Sequence, residues 1–159
     1  MSHHTYLKEV QNGKQWDFDT SDYFTLRLDG LCAVLTALRA NLEDFDEGDY
    51  VAGAEPMVLA LQHVLDVTTS LEKISYELDT DPHSVGDLSL QLMWARALIE
   101  IIVRMFEADS WKITLGSRVL VDYLGSVERI LTEAHSETVQ IHRKKFPKAP
   151  TAAKSGRNE

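Results

Sequence analysis

The sequence lacks the residue patterns that mark several common classes of protein. Its 159 residues include one cysteine, Cys32, so an internal disulfide is excluded. No Cys-x-x-Cys pair, glycine-rich phosphate loop or nucleophile elbow occurs, which leaves the zinc-ribbon, nucleotide-binding and hydrolase classes without support. The first ten residues, MSHHTYLKEV, lack the apolar run of a signal peptide. We therefore predict a cytoplasmic protein in a reducing compartment.

Long uncharged apolar runs are also missing. The densest apolar segment, residues 88–106, has fourteen apolar residues among nineteen, close to the ~20 that a membrane-spanning helix needs. Arg96, Glu100 and Arg104 interrupt it, and each charge would cost roughly 2.5–3.5 kcal/mol at the bilayer centre. Spaced four residues apart, they are placed instead to form ion pairs along a helix. We expect this segment to be the central helix of a soluble protein, surrounded by other helices.

Charge is distributed unevenly along the chain. The formal net charge is −9, but residues 142–159 contain six basic residues and one acidic residue, so residues 1–141 carry −14. A body this acidic repels nucleic acid and anionic membranes and attracts basic surfaces. We therefore predict a protein partner with a basic surface, and no direct binding to nucleic acid or membrane.

Four amphipathic segments predict an all-α fold, an antiparallel four-helix bundle over residues 21–145. We place the helices at about 21–44, 56–78, 85–106 and 110–145, with Gly116 as a point of interruption in the last. The apolar seams of the first two helices are Phe24, Leu28, Leu31, Leu35, Leu38 and Leu42, then Met57, Leu61, Val64, Thr68, Leu71, Ile74 and Leu78. The last three turns of the fourth helix have few apolar residues and are expected to be exposed or bound to a partner.

Two flanking segments complete the predicted organisation. Residues 1–20 form a polar arm, either a hairpin that turns at Asn12 and Gly13 and pairs Leu7 with Phe18, or an irregular segment packed on the bundle. Residues 146–159 have no apolar periodicity and are predicted to be a disordered basic tail.

The connection over residues 43–55 is the first candidate binding site. Its acidic residues predicted to contact a basic partner surface are Asp44, Asp46, Glu47 and Asp49. Asp44, Asp46 and Glu55 also match positions 1, 3 and 12 of an EF-hand loop, but Gly48 precedes Asp49, the reverse of the order that the calcium loop requires. We therefore predict a solvated acidic loop without calcium.

Two further groups of residues were considered as metal or redox sites. His63 and Asp66 lie three residues apart on the second predicted helix and can share an ion, although a surface pair is the commoner arrangement. No Glu-x-x-His pair of the di-metal bundles occurs. Cys32 lies beside the apolar seam of the first helix, where we expect an unreactive buried thiol. The sequence therefore predicts neither a metal nor a cofactor.

One pair on the fourth predicted helix resembles a known enzyme signature. Arg129 and His135, in RILTEAH, resemble the R-x4–6-H signature of HEPN-type ribonucleases, which are also helical bundles. The resemblance implies metal-independent RNA cleavage, with His135 as the acid–base and Arg129 steadying the phosphate, usually across a dimer. Ile130 stands where that family often has a polar residue, and a six-residue offset separates two side chains by about 240° around a regular helix.

The central helix carries more apolar surface than its neighbours require. Met93 and Trp94, together with Leu90, Ala97, Ile101 and Met105, are of the composition found at binding surfaces, which suggests a homodimer or a groove for a partner helix. The leading hypothesis is a non-enzymatic acidic interaction protein, an inhibitor or nucleic-acid mimic of the immunity, antitoxin or anti-defence type. The alternatives are a HEPN-like ribonuclease and a structural subunit of a larger assembly.

Overall fold

The chain folds into four helices in a computed structural model, which describes residues 16–43, 54–78, 86–108 and 116–148. The helices are α1 (Phe18–Glu43), α2 (Ala54–Leu78), α3 (Gly86–Ala108) and α4 (Ser117–Lys145). The described ranges contain no strand. The prediction of an all-α fold is therefore confirmed.

The helices pack as an antiparallel bundle. α1 lies along α4, α2 lies along α3, and α3 also lies along α4. At one end of the bundle Phe18, at the start of α1, contacts His142, near the end of α4. The hydroxyls of Ser75 and Ser89, 2.9 Å apart, join the C-terminal part of α2 to the first turn of α3. These contacts fix the opposite directions of both helix pairs and confirm the predicted bundle.

The core consists of the seams that the sequence predicted, together with the inner faces of α3 and α4. Every predicted seam residue of α1 is buried except Leu38, which is partly buried, and every predicted seam residue of α2 is buried. The largest fully buried side chains of α3 and α4 are Leu88, Leu92, Ile99, Ile102, Leu120, Leu124 and Leu131. One continuous hydrophobic cluster therefore joins all four helices.

The start of α1 lies earlier in the chain than the sequence predicted. Asp17 caps the helix, since its Oδ1 accepts a hydrogen bond of 2.7 Å from the backbone N–H of Thr20. The prediction of a helix beginning at Ser21 is therefore wrong, as is the assignment of Phe18 to a hairpin strand. The indole N–H of Trp16 donates to Ser21 Oγ at 2.6 Å, and this pair closes the end of the core. Residues 1–15, with the predicted turn, lie outside the described residues.

The other helix ends differ slightly from the prediction. α2 begins at Ala54, which places Pro56 within the first turn, where a missing N–H leaves no intrahelical bond unmade. α3 begins at Gly86 and α4 at Ser117, directly after Gly116, the predicted point of interruption. The predicted cap at Ser110 lies outside the described residues, as do residues 149–159 of the basic tail.

One face of the last three turns of α4 is buried, contrary to the sequence prediction. Thr138 and Ile141 are at most 3% exposed, because the antiparallel start of α1 covers them, while Ser136, Gln140 and residues 143–145 are exposed. The prediction counted Thr138 as polar, but its hydroxyl donates to the carbonyl of Ala134 at 3.0 Å, so the side chain enters the core with its polar group satisfied. At the surface of this end, the rings of Phe18, His142 and Phe146 contact one another.

None of the described helices combines the length and the apolar content that crossing a bilayer would require.

Candidate interaction surface

The main candidate site is the outer face of α3, the side that points away from the bundle. Its exposed residues are Leu90, Trp94, Ala97, Ile101 and Met105, spaced by 4, 3, 4 and 4 residues. This spacing keeps them on one stripe of a 3.6-residue helix. Trp94 is 52% and Ile101 51% exposed, although both are large apolar side chains. The outer face of α3 is therefore an uninterrupted apolar stripe open to solvent.

The opposite side of the same helix explains why the sequence alone suggested a surrounded helix. Leu88, Leu92, Ile99 and Ile102 are 1% exposed or less and point into the bundle. The helix is thus apolar on its inner and outer faces, and a single-helix pattern does not reveal that only one of them is covered. The prediction that α3 is surrounded by other helices is wrong, while Trp94 is exposed, as its assignment to a binding surface requires.

Aromatic hydroxyl groups from the neighbouring helices flank the stripe. On the α2 side, Tyr76 lies with its hydroxyl 3.9 Å from the sulfur of Met93, a predicted contact residue that is partly buried. On the α4 side, the hydroxyl of Tyr123 donates to the backbone carbonyl of Leu98 at 2.6 Å. These contacts attach both edges of the stripe to the bundle, so its side chains stand on a fixed backbone.

A row of charges follows the α2 edge of the stripe. Arg96 donates from Nε to a carboxylate oxygen of Glu72 on α2, and its Nη1 lies 3.0 Å from Glu100 Oε2. Arg104 Nη2 lies 2.6 Å from Glu100 Oε1. The predicted arginine–glutamate–arginine row is confirmed, and it includes a fourth residue, Glu72, that sequence spacing did not indicate. The charged groups satisfy one another beside the stripe and leave its centre apolar.

The neighbouring helices have polar outer faces, which sets α3 apart. The exposed residues of α2 include Leu59 and Tyr76, but most of the others are polar: His63, Asp66, Thr69, Lys73 and Glu77. The exposed residues of α4 include Asp122, Ser126, Arg129, Glu133, Ser136 and Gln140. An ordinary solvated face has this polar composition. The apolar outer face of α3 is therefore a feature of that helix and not of the whole surface.

The acidic residues predicted to contact a partner cannot be placed on this surface. Asp44, Asp46, Glu47 and Asp49 lie outside the described residues. Glu55, the last residue of the rejected calcium loop, is exposed in the first turn of α2. The prediction of an acidic contact surface therefore stays a prediction.

The residues considered for metal binding are arranged as surface groups. Asp66 accepts a hydrogen bond from Gln62 Nε2 at 3.0 Å, while His63 is exposed. Among the residues that the structure describes, no three metal-binding side chains come together.

The pair that resembles the HEPN signature lies on two different sides of α4. His135 points toward α1, where its Nε2 is 3.2 Å from Asp29 Oδ1, an ion-pair distance at angles outside those of a hydrogen bond. Arg129 is exposed. Within one chain, the six-residue offset therefore leaves the arginine in solvent and the histidine against the neighbouring helix.

Cys32 lies between α1 and α4 in surroundings that suppress its reactivity. Its sulfur is 3.8 Å from Thr132 Oγ1, and the side chain is partly buried. Burial raises the pKa of the thiol, and the carboxylates of Glu128 and Asp29 raise it further, while the contact with Thr132 lowers it. The thiolate, which is the nucleophilic form, is therefore scarce at neutral pH.

We expect Cys32 to be alkylated by iodoacetamide more slowly in the native chain than in the denatured chain throughout pH 7–8. Because its pKa is raised, the rate should rise with pH through an inflection above that of the denatured thiol, whose ordinary pKa is ~8.5. Rates measured across pH 6.5–10 in buffer and in denaturant test this. An inflection at or below the denatured value would contradict it.

The sequence did not identify Tyr76, Tyr123 or Glu72 as neighbours of the α3 stripe. Each is directly next to a buried residue of its own helix, so it lies on the edge of that helix. Helical periodicity gives this angular position, but it does not tell which other helix lies beside that edge. The opposite charges of Glu72 and Arg96 are the one signal in the sequence that could have indicated that these two helix edges lie side by side.

Comparison with protein-family models, curated proteins and solved structures gives no match for this chain.

Proposed function

We propose that this chain is a non-enzymatic cytoplasmic interaction protein that binds a protein partner through the outer face of α3. The observation that carries the proposal is the apolar stripe from Leu90 to Met105, exposed on a helix whose neighbours α2 and α4 have polar outer faces. Met105 and Trp94 belong to the residue types enriched at the centres of protein interfaces. A partner helix or sheet covering this stripe is the arrangement that its chemistry favours.

The size of the stripe supports a contact with another protein. Its five side chains expose about 400 Å², within the range of the largest apolar patches on monomeric proteins, which are often functional. Covering that area would contribute about 10 kcal/mol at 25 cal/mol per Å², before the losses of translational and side-chain freedom are subtracted. Covering the partner's own apolar surface adds to this gain, and the sum must exceed the ~4–15 kcal/mol cost of association. Trp94, the largest side chain of the stripe, is expected to contribute the largest part.

The acidic residues provide a second, electrostatic part of the proposal. Asp44, Asp46, Glu47 and Asp49 would attract a basic partner surface and raise the rate of encounter, the mode of an inhibitor or nucleic-acid mimic. Reversing these four charges should slow association and flatten its salt dependence, while the dissociation rate changes less, because long-range attraction acts mainly on encounter. Substitutions in the apolar stripe are expected to change mainly the dissociation rate and to change the association rate less.

The test is a pull-down of tagged protein from native-host lysate, with elution in salt steps and identification of both protein and nucleic acid. Three chains are compared: the parent, Trp94→Asp on the stripe, and Leu59→Asp on α2. Leu59 is 62% exposed and so provides a matched loss of exposed apolar surface elsewhere. A protein captured by the parent and by Leu59→Asp, but lost with Trp94→Asp, supports the proposal.

Two outcomes would overturn it. Capture of the same protein by all three chains would show that the stripe is not the contact surface. Co-purified RNA that the parent chain cleaves, with cleavage lost in His135→Ala, would show that the protein is an enzyme and move the function to Arg129 and His135.

A further inference from the structure

We propose that the outer face of α3 is covered by a second copy of this chain, packed antiparallel about a two-fold axis that passes beside Ala97 and Leu98. This inference rests on the proposed function, because it names the partner of the same surface. Its basis is the symmetry of the stripe. A two-fold interface needs a surface that is complementary to itself, and few helix faces have that property.

The spacing of the large residues reads the same in both directions. Leu90 and Met105 lie equally far from the midpoint between Ala97 and Leu98, and Trp94 and Ile101 also lie equally far from it. In an antiparallel pair, Leu90 therefore meets Met105 of the second copy, and Trp94 meets Ile101. The stripe is about 22 Å long at 1.5 Å per residue, and the four large side chains of each copy form two pairs, one on each side of the axis.

The sizes of the side chains fit this arrangement. Ala97, the smallest exposed residue of the stripe, lies at the proposed axis, where two helices come closest. Small side chains at a crossing point allow the helix axes to approach toward the lower end of the usual 8–10 Å. The larger Trp94 and Ile101 lie on either side, where space between two convex helices widens. Each indole would fill the gap beside an isoleucine of the second copy.

The charges at the edge fit as well. The two-fold rotation brings the α2 edge of one copy against the α2 edge of the other, running in the opposite direction. Along the direction of the helix axis, Glu100 then lies about 1.5 Å from Arg96 of the second copy. Its distance from Glu100 of the second copy in the same direction is about 7.5 Å. Opposite charges are thus closer than the like carboxylates, which favours the antiparallel pairing.

The area is sufficient for a specific dimer. Covering the stripe in both copies removes about 800 Å² from water, and the flanking Met93, Leu98 and Tyr76 bring the total to roughly 1,000–1,200 Å², at the lower end of specific interfaces. Tyr76 is 53% exposed and so adds apolar area at the α2 edge. The expected dimer is reversible and concentration-dependent.

The experiment is sedimentation equilibrium of the full chain over a wide concentration range, with Trp94→Asp and Leu59→Asp as the stripe and control variants. The parent and Leu59→Asp should approach twice the 18.0 kDa of one chain. Trp94→Asp should raise the dissociation constant about 100-fold or more, since a charge would be buried at the centre of the contact. Circular dichroism of each variant confirms that it is folded.

The antiparallel direction of the two α3 helices is tested by cross-linking with a short bis-maleimide in a Cys32→Ser background. A mixture of Leu90→Cys chains and Met105→Cys chains should link the two different chains, whereas neither variant alone should link to itself. Self-linking of Leu90→Cys alone would indicate parallel packing and overturn the proposed geometry.

Other outcomes separate this inference from the proposed function. A mass of one chain at high concentration, or a mass above two chains, would overturn the two-fold dimer. If a different protein is then captured in a manner that depends on Trp94, the stripe remains a binding surface and only the identity of its occupant is wrong. If the chain is a monomer and no Trp94-dependent capture occurs, both proposals fail.

Discussion

Leu92→Ala is expected to lower the free energy of unfolding by about 3 kcal/mol, within the 2–5 kcal/mol typical of leucine truncation in a core. Leu92 is 0% exposed on the inner face of α3, where the surrounding side chains of three helices limit collapse around the cavity. Ile101→Ala, on the outer face of the same helix, is the matched control. Because Ile101 is 51% exposed, its truncation should cost about 1 kcal/mol or less.

Chemical denaturation followed by circular dichroism measures this pair. The measurements should be made at a protein concentration where the unfolding midpoint no longer depends on concentration, so that association does not contribute to the stability. Equal losses in Leu92→Ala and Ile101→Ala would mean that both faces of α3 are covered within one chain. That result would contradict the assignment of an inner and an outer face and remove the basis of both proposals.

Trp16→Ala is expected to destabilise the protein by about 3–5 kcal/mol, the usual cost of removing a buried aromatic side chain. Trp16 is 4% exposed, and its ring centroid lies 5.1 Å from that of Phe24. Trp16→Phe keeps most of this packing but loses the N–H that donates to Ser21. It should cost only about 1 kcal/mol, because the Ser21 hydroxyl keeps its own donation to the carbonyl of Asp17 at 3.3 Å.

The same denaturation measurement tests Trp16, with Leu26→Ala as the control. Leu26 is 72% exposed on α1, so its truncation should change the stability by less than about 0.5 kcal/mol. A loss below about 1 kcal/mol for Trp16→Ala would mean that Trp16 is only loosely attached to the bundle and does not close the end of the core.

The seams of the first two helices were predictable because burial imposes a period on a single helix. Leu28 and Leu35 on α1, and Leu61 and Leu71 on α2, lie on the predicted stripes and are 0% exposed. Each stripe must face apolar neighbours whichever helix supplies them. The prediction therefore needed no knowledge of the partner helix.

The ends of the helices and the edges of the stripes were less predictable. The indole of Trp16 enters the core through its contact with Phe24 and its hydrogen bond to Ser21, and the apolar periodicity of α1 does not reveal either contact. Thr138 looked polar, but its bond to Ala134 lets it be buried. In both cases the deciding contact satisfies a polar group that the residue type alone counts as exposed.

Amino-acid sequence by itself determined the fold class, the four helices and most of the core, since hydrophobic periodicity is written into each helix separately. Only the tertiary structure decided which side of α3 is covered. Both of its faces are apolar, so the choice depends on where α2 and α4 pack, and they pack against the face that contains Leu92. The face that contains Trp94 is left to solvent, because the four described helices close the core with their inner sides and none of them covers the outer side of α3.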